Sequence, residues 1–382
     1  MVAQGRAASD VSKSISKTRK FGALICALSI AVTPLAATAS ETTGSTANDT
    51  ARILAGLEPA PGSELTRLTR TAAFQQHAKD FSSAWNRLET GQLAKIRTWV
   101  AQQMPPAKPT LFYFFSGPDY LYANAFYPNA TTYVMAGLEP VGPIPRASDA
   151  NIRGLPQLRG SLNTVMNTSF FRTIEMRERF GSGAFTGTLP ILYMFLARSG
   201  KTVEETTLIS LNEAGVEVPA GSPGARSSIN GAKIVFSGAD GAHRTLYYFQ
   251  TDVSNTGASV NQLLAFTKAL GQGDALIKSA SYLLHQENFS KVRGFLLTNA
   301  QTLLQDDSGI PLRHFSPADW TLQAQGRYTG PISLFAGNHQ PRMADLFRAQ
   351  KPTPLPFGVG YRIRAAESSL LLATQGSQLA NR

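Results

Sequence analysis

Residues 111–136 constrain the fold more than any other stretch. Leu111-Phe112-Tyr113-Phe114-Phe115 is a short aromatic run between Pro109 and Ser116-Gly117-Pro118, the pattern of a buried strand. Pro118 suits the first turn of a helix, with Asp119 just inside it. Residues 120–126 can form that helix before Pro128-Asn129 ends it, and 131–136 is a second β-rich run stopped by Gly137. Strand, crossover and strand within about 27 residues predict a βαβ unit with parallel strands and a right-handed connection. The fold class expected is α/β, a mixed or mostly parallel sheet with flanking helices.

The rest of the chain extends this pattern. Phe74, Ala78, Phe81, Trp85 and Leu88 step by four and three, and Leu93, Ile96, Val100 and Met104 resume the period after Thr90-Gly91. This predicts an N-terminal helical hairpin over 63–106, closed by Pro105-Pro106, with His77 at the edge of its first stripe. Further helices are expected over about 163–180 and 189–197. Ser259 and Gln262 form a capping box for a helix reaching Leu270. Ser290 should cap another that carries Val292, Phe295, Leu296 and Leu303 and ends at Gln305-Asp306-Asp307-Ser308-Gly309. Strands are expected at 206–211, 233–236, 245–249, 320–328, 332–335 and 370–373, while 276–284 reads equally as strand or helix. The break at 219–224 divides the α/β core, 107–382, into expected lobes 107–222 and 223–382. Leu111 to Asp119 and Leu246 to Asp252 echo one another, each an aromatic strand that ends in a small polar residue and an Asp. They are expected to be diverged copies of one βα unit.

The first 39 residues read as an address. Arg6, Lys13, Lys17, Arg19 and Lys20 precede an apolar run from Phe21 to Val32, then Pro34 and the small-residue end Ala37-Thr38-Ala39. A basic segment, a short apolar core and an A-x-A site form the secretory pattern. The run is too short for a permanent span, so no integral membrane span is expected after cleavage, and the location expected is periplasmic or secreted. Residues 40–62, rich in Thr, Ser, Ala, Gly and Pro, read as a flexible leader. The one cysteine, Cys26, falls inside the address, so the mature chain has neither a disulfide nor a thiolate zinc site. The formal charge of +11 includes five address cations, and the remaining Arg and Lys are scattered. That argues against nucleic acid and leaves a small molecule, a glycan or an envelope protein as expected partners.

Familiar catalytic signatures are missing. Ala220-Gly221-Ser222-Pro223-Gly224 lies in a turn rather than between strand and helix, no phosphate loop is present, and the five histidines never pair at metal spacing. No metal or cofactor is expected. What remains is carboxylates on turns. Asp119 and Asp252 follow predicted strands, and ligands of open α/β sheets bind beyond the carboxyl ends of strands. Two such acids can act as acid and base or hold a cation, and they can equally cap helices. Asp306 and Asp307, with Arg313 and His314 close behind, are the second candidates, because acids at a helix C-terminus oppose its dipole. Tyr120, Glu139 and Arg313 are candidate ligand contacts.

The segments Ser116-Gly117-Pro118-Asp119-Tyr120, Gly137-Leu138-Glu139-Pro140 and Gln305-Asp306-Asp307-Ser308-Gly309-Ile310-Pro311 resemble those of exported bacterial proteins of unknown function. The resemblance implies no activity, cofactor or substrate. It implies that the Asp119 and Asp307 regions share one surface. Two functions remain open: an envelope protein binding a ligand or partner in a cleft beside the sheet, or a carboxylate-dependent hydrolase of glycan or another envelope polymer.

Overall fold

The computed structural model describes residues 42–168, 183–222, 229–257 and 259–376; the expected signal peptide lies outside them. The described residues open with β1 (Thr42–Thr43), α1 (Gly44–Leu54), the one-turn α2 (Thr66–Thr69), α3 (Ala72–Leu88) and α4 (Ala94–Gln103). Next come β2 (Thr110–Tyr113), α5 (Tyr120–Phe126), β3 (Thr132–Gly137), α6 (Leu155–Thr168) and α7 (Leu189–Arg198). The middle holds β4 (Thr202–Leu211), β5 (Glu217–Pro219), β6 (Ile229–Ser237), β7 (His243–Gln250), α8 (Val260–Ala269) and β8 (Gly273–Ile277). The last elements are α9 (Ser290–Asn299), β9 (Ala300–Gln305), β10 (Trp320–Gly326), α10 (Pro341–Gln350) and β11 (Ser369–Gln375).

All the described strands join one eleven-stranded sheet in the order β1-β4-β6-β7-β3-β2-β8-β9-β11-β10, with β5 on β4. Its centre, β7-β3-β2-β8-β9, is parallel, and antiparallel strands extend both edges. The fold is therefore α/β with a mixed sheet, and the βαβ unit β2-α5-β3 is present as read from sequence. In chain order the parallel strands lie 3-2-1-4-5, so the winding reverses between β2 and β8. That reversal is the topological switch point of doubly wound sheets.

Alternation along each central strand feeds two cores. Leu111, Tyr133, Tyr248, Leu276 and Leu304 pack with the α1–α7 side of the sheet. Phe112, Val134, Phe249, Ala275 and Leu303 pack with α8, α9 and α10 on the other. Burial on both faces is what parallel strands require.

Several expectations are corrected. The leader is not loose: β1 pairs with β4, and Ala47, Ala51 and Leu54 of α1 are fully buried. Ala47 and Ala51, four apart, let α1 pack closely and Leu54 continues the stripe, which the polar composition conceals. Enlarging Ala51 to Leu should cost about 1–3 kcal/mol through overpacking, read as a lower urea midpoint; a flexible leader would show no change. Nor do α3 and α4 form a hairpin. A π-helical turn, Glu89–Leu93, joins them with helical backbone angles on either side, so the wide turn absorbs Thr90-Gly91 without reversing the chain. His77 is buried rather than peripheral, and its ring Nε2 bonds the Leu54 carbonyl at 3.0 Å.

The turn at 219–222 does not separate two lobes, because β4 before it and β6 after it are paired neighbours. The helix expected from Asn163 is α6, and the end expected at Phe180 lies outside the described residues. Ser259 precedes α8 without a side-chain cap bond, and the cap position of α9 falls on Phe289, not Ser290. Residues 333–338 form 3-10 turns rather than a strand. The helix expected to run through Leu303 stops at Asn299 and becomes β9 with no intervening loop. This last difference moves Asp306 and Asp307 from a helix end to the carboxyl end of a parallel strand.

Candidate functional site

Four of the five parallel strands deliver residues to one cavity of about 250 Å³ at their carboxyl ends. Asp119 comes from beyond β2, Gly137 to Glu139 from the end of β3, Thr251 to Val253 from beyond β7, and Lys278 to Ser281 from beyond β8. The cavity straddles the switch point, where diverging crossovers leave a crevice. Its walls are part apolar, through Phe115, Leu138, Val253, Leu283 and Phe289.

The floor is a buried ion pair. Asp119 Oδ2 lies 3.0 Å from Lys278 Nζ, with the two side chains 2 % and 1 % exposed. The same oxygen accepts the Tyr113 hydroxyl at 2.8 Å, and Oδ1 accepts the Tyr122 N–H at 3.3 Å. Asp119 thus caps α5, as an acid at a helix start should, and also anchors the lysine. The Lys278 ammonium lies 4.2 Å from the centre of the Tyr122 ring, which adds a cation–π contact. Burial pushes the Asp119 carboxyl above its ordinary range, while Lys278 draws it back down. Burial, reinforced by Asp119, raises the Tyr113 phenol well above its usual value.

Glu139 is buried, and its main-chain oxygen accepts the Tyr248 hydroxyl at 2.9 Å. Gly137 permits this packing. A Cβ there would stand 2.4 Å from Glu139 Oε2, 2.9 Å from the Tyr248 hydroxyl and 3.0 Å from the Gly117 Cα. Gly137→Ala should therefore cost about 1–3 kcal/mol, checked by denaturant unfolding. Asp252 also lines the cavity and is exposed. Its carboxylate accepts the Ser254 N–H at 2.9 Å and the Ser254 hydroxyl at 3.0 Å.

The loop after β8 is strained and tightly held. Ser279, Ser281 and Tyr282 have φ of 53°, 51° and 55°, three of the four left-handed non-glycine residues among those described. Such backbone persists only where its surroundings dictate it. The Ser279 N–H donates to Asp306 Oδ2 at 2.8 Å, and the Ala280 N–H to Ser308 Oγ at 2.8 Å. The Tyr361 hydroxyl accepts the Ser281 N–H at 3.0 Å and donates to the Ser279 carbonyl at 2.9 Å. The Tyr282 hydroxyl donates to Asp307 Oδ2 at 2.6 Å. So held, Ser279 lines the cavity, and its hydroxyl oxygen is buried with no hydrogen-bond partner among the described residues.

Of the residues singled out from sequence, Asp119, Glu139 and Asp252 meet at the cavity. Asp306 and Asp307 do not line it; they clamp the loop that does. Burial raises both carboxyls: Asp307 reaches about 6, with Asp306 adding to the rise, while bonds from Ser308 oppose the shift at Asp306. Tyr120 is fully buried, bonds Asn124 at 3.2 Å and packs edge-on against Tyr133 and Phe236. The exposed Arg313 donates to the His285 carbonyl at 3.0 Å. His314 is held below its ordinary pKa by burial and then by Arg293 and Arg313. Neither residue lines the cavity.

Sequence reading missed Lys278 and Ser279. The signal was there: a single cation inside the apolar run Ala275-Leu276-Ile277-Lys278-Ser279-Ala280. A buried charge needs a partner. Among the described residues, no three His, Cys, Asp or Glu side chains are grouped to hold a metal ion. None of the described helices is long and apolar enough to cross a membrane. Comparison with protein families, curated proteins and solved structures finds no match.

Proposed function

We propose that this is an exported cell-envelope protein that binds a small polar ligand in the cleft beyond β2, β3, β7 and β8. One observation carries the reading: polar side chains from four strand ends converge on one part-apolar cavity at the switch point. Ligand sites of this fold class lie there. Export rests on the N-terminal pattern and on the resemblance to exported bacterial proteins. The first described element begins at Thr42, past Ala39.

A thermal-shift screen of sugars, amines, organic anions and peptidoglycan fragments tests the reading. Leu138→Trp, which narrows the rim, serves as control. At least one class should raise the melting temperature of the wild type and fail to do so in the variant. If no class stabilises the wild type, the cleft is not a small-ligand site.

Hydrolysis of an envelope polymer is favoured by one observation, that Asp119, Glu139 and Asp252 share the cavity. Acid–base cleavage needs two carboxyls flanking the scissile bond. Asp119 holds Lys278, so this route assigns the two roles to Glu139 and Asp252. Glu139→Gln should then abolish turnover of any substrate found, and full activity in that variant would exclude this route.

A further inference from the structure

We infer that the ligand of the cleft carries a protonated amine beside an apolar face, with Glu139 and Asp252 as the groups that receive the amine. The inference rests on the proposed ligand-binding role of the cleft and names its chemistry. Charge is the first argument. Three carboxylates, Asp119, Glu139 and Asp252, line the cavity, against one cation, Lys278. The Lys278 ammonium is already paired with Asp119 at 3.0 Å. The lining thus has two acids more than bases, in a chain whose formal charge is +11. The local field opposes the field of the whole molecule, so an anion drawn toward the protein meets repulsion at this site, and a cation meets attraction that low-dielectric walls strengthen.

Shape and hydrogen bonding supply the second argument, independent of charge. Phe115, Leu283 and Leu138 are the accessible apolar walls: Phe115 and Leu283 are half-buried, and Leu138, at 46 %, is one of three exposed large hydrophobic residues among those described. An apolar residue held in the open at a pocket mouth suits contact with a ligand face. Ser279 lines the same cavity, and its hydroxyl is buried without a hydrogen-bond partner among the described residues. A desolvated hydroxyl is costly unless something bonds it, and the strained loop is clamped in the conformation that places it there. A ligand with an amine, a nearby hydroxyl or carbonyl and one apolar face uses all three features. Amino sugars and diamino acids both have this chemistry.

Matched pairs separate charge from shape and one source from the other. The full-length chain is titrated calorimetrically with glucosamine and N-acetylglucosamine, with ornithine and Nα,Nδ-diacetylornithine, and with glucuronate. The free amine of one pair should bind at least tenfold more tightly than its acetylated partner, and the pair that responds identifies the source. Asp252→Asn, on an exposed side chain, should cut that preference several-fold without changing the melting temperature of the free protein, and Glu139→Gln should do the same if it folds. Binding of an acetylated compound or of glucuronate as tight as that of the amines overturns this inference and leaves the cleft as a ligand site. Binding by no compound, when the broader screen also finds none, overturns both.

Discussion

Replacing Lys278 with Met should lower stability by about 3–5 kcal/mol, the largest loss expected from a single change at the site. The reason is Asp119. Its carboxylate is 1 % exposed as a residue and keeps only neutral donors, the Tyr113 hydroxyl and the Tyr122 N–H, once the ammonium is gone. Burial already pushes that carboxyl up against the pull of Lys278, so without the lysine it rises further, opposed only by those two hydrogen bonds. The native state of the variant then takes up a proton that the unfolded chain releases, and its stability climbs as pH falls from 7 toward 4. Adding Asp119→Asn removes the stranded charge and keeps an acceptor for Tyr113. The double variant should therefore recover much of the loss, a coupling that a double-mutant cycle in urea at pH 7 measures directly. A Lys278→Met variant within 1 kcal/mol of the wild type, with no pH slope, would show that Asp119 is not held as a carboxylate.

The cavity was legible in part because the βαβ reading fixed where the ends of β2 and β3 must lie. Aromatic runs closed by Ser-Gly-Pro-Asp and Gln-Thr-Asp marked two strand ends that face the same crevice, and both acids line it. The loop clamp was not legible. Val292, Phe295, Leu296 and Leu303 fit one helical stripe, yet Leu303 and its neighbour Leu304 enter opposite cores. A strand buried on both faces shows no alternation, so periodicity cannot separate it from the end of a helix. Lys278 was hidden for the same reason, at the end of β8, whose residues are all buried. Tyr120 misled in the other direction. It is a candidate ligand contact from sequence, but Asn124, one helical turn on, satisfies its hydroxyl inside the core. Pattern records how strongly a position prefers burial; it does not record which buried polar groups will meet across strands far apart in sequence.

Neighbouring acids with opposite signs of effect give the sharpest test of the clamp. Asp306→Ala should destabilise by about 2–4 kcal/mol, because the Ser279 N–H and both donors of Ser308 lose their acceptor, partly offset by removal of a buried charge. Amide hydrogen exchange at residues 279–282 should quicken by at least tenfold as the left-handed backbone relaxes. Asp307→Asn should act oppositely. Burial, with Asp306 beside it, raises the Asp307 carboxyl from 3.8 to about 6, so the native state holds this proton more tightly than the unfolded chain does. Ionising it therefore costs stability: the cost is absent below about pH 4, grows between pH 4 and 6, and is complete above about pH 6. Asn never ionises and still offers an oxygen to the Tyr282 hydroxyl. The variant should match the wild type at pH 4 and exceed it by about 1–3 kcal/mol at pH 8, read from urea midpoints at the two values. That cost falls on the residue that holds Tyr282 in the cavity loop, so Asp307 serves the loop's shape at the expense of stability. Equal midpoint shifts at pH 4 and pH 8 would instead make Asp307 an ordinary acceptor and leave the clamp to Asp306, Ser308 and Tyr361.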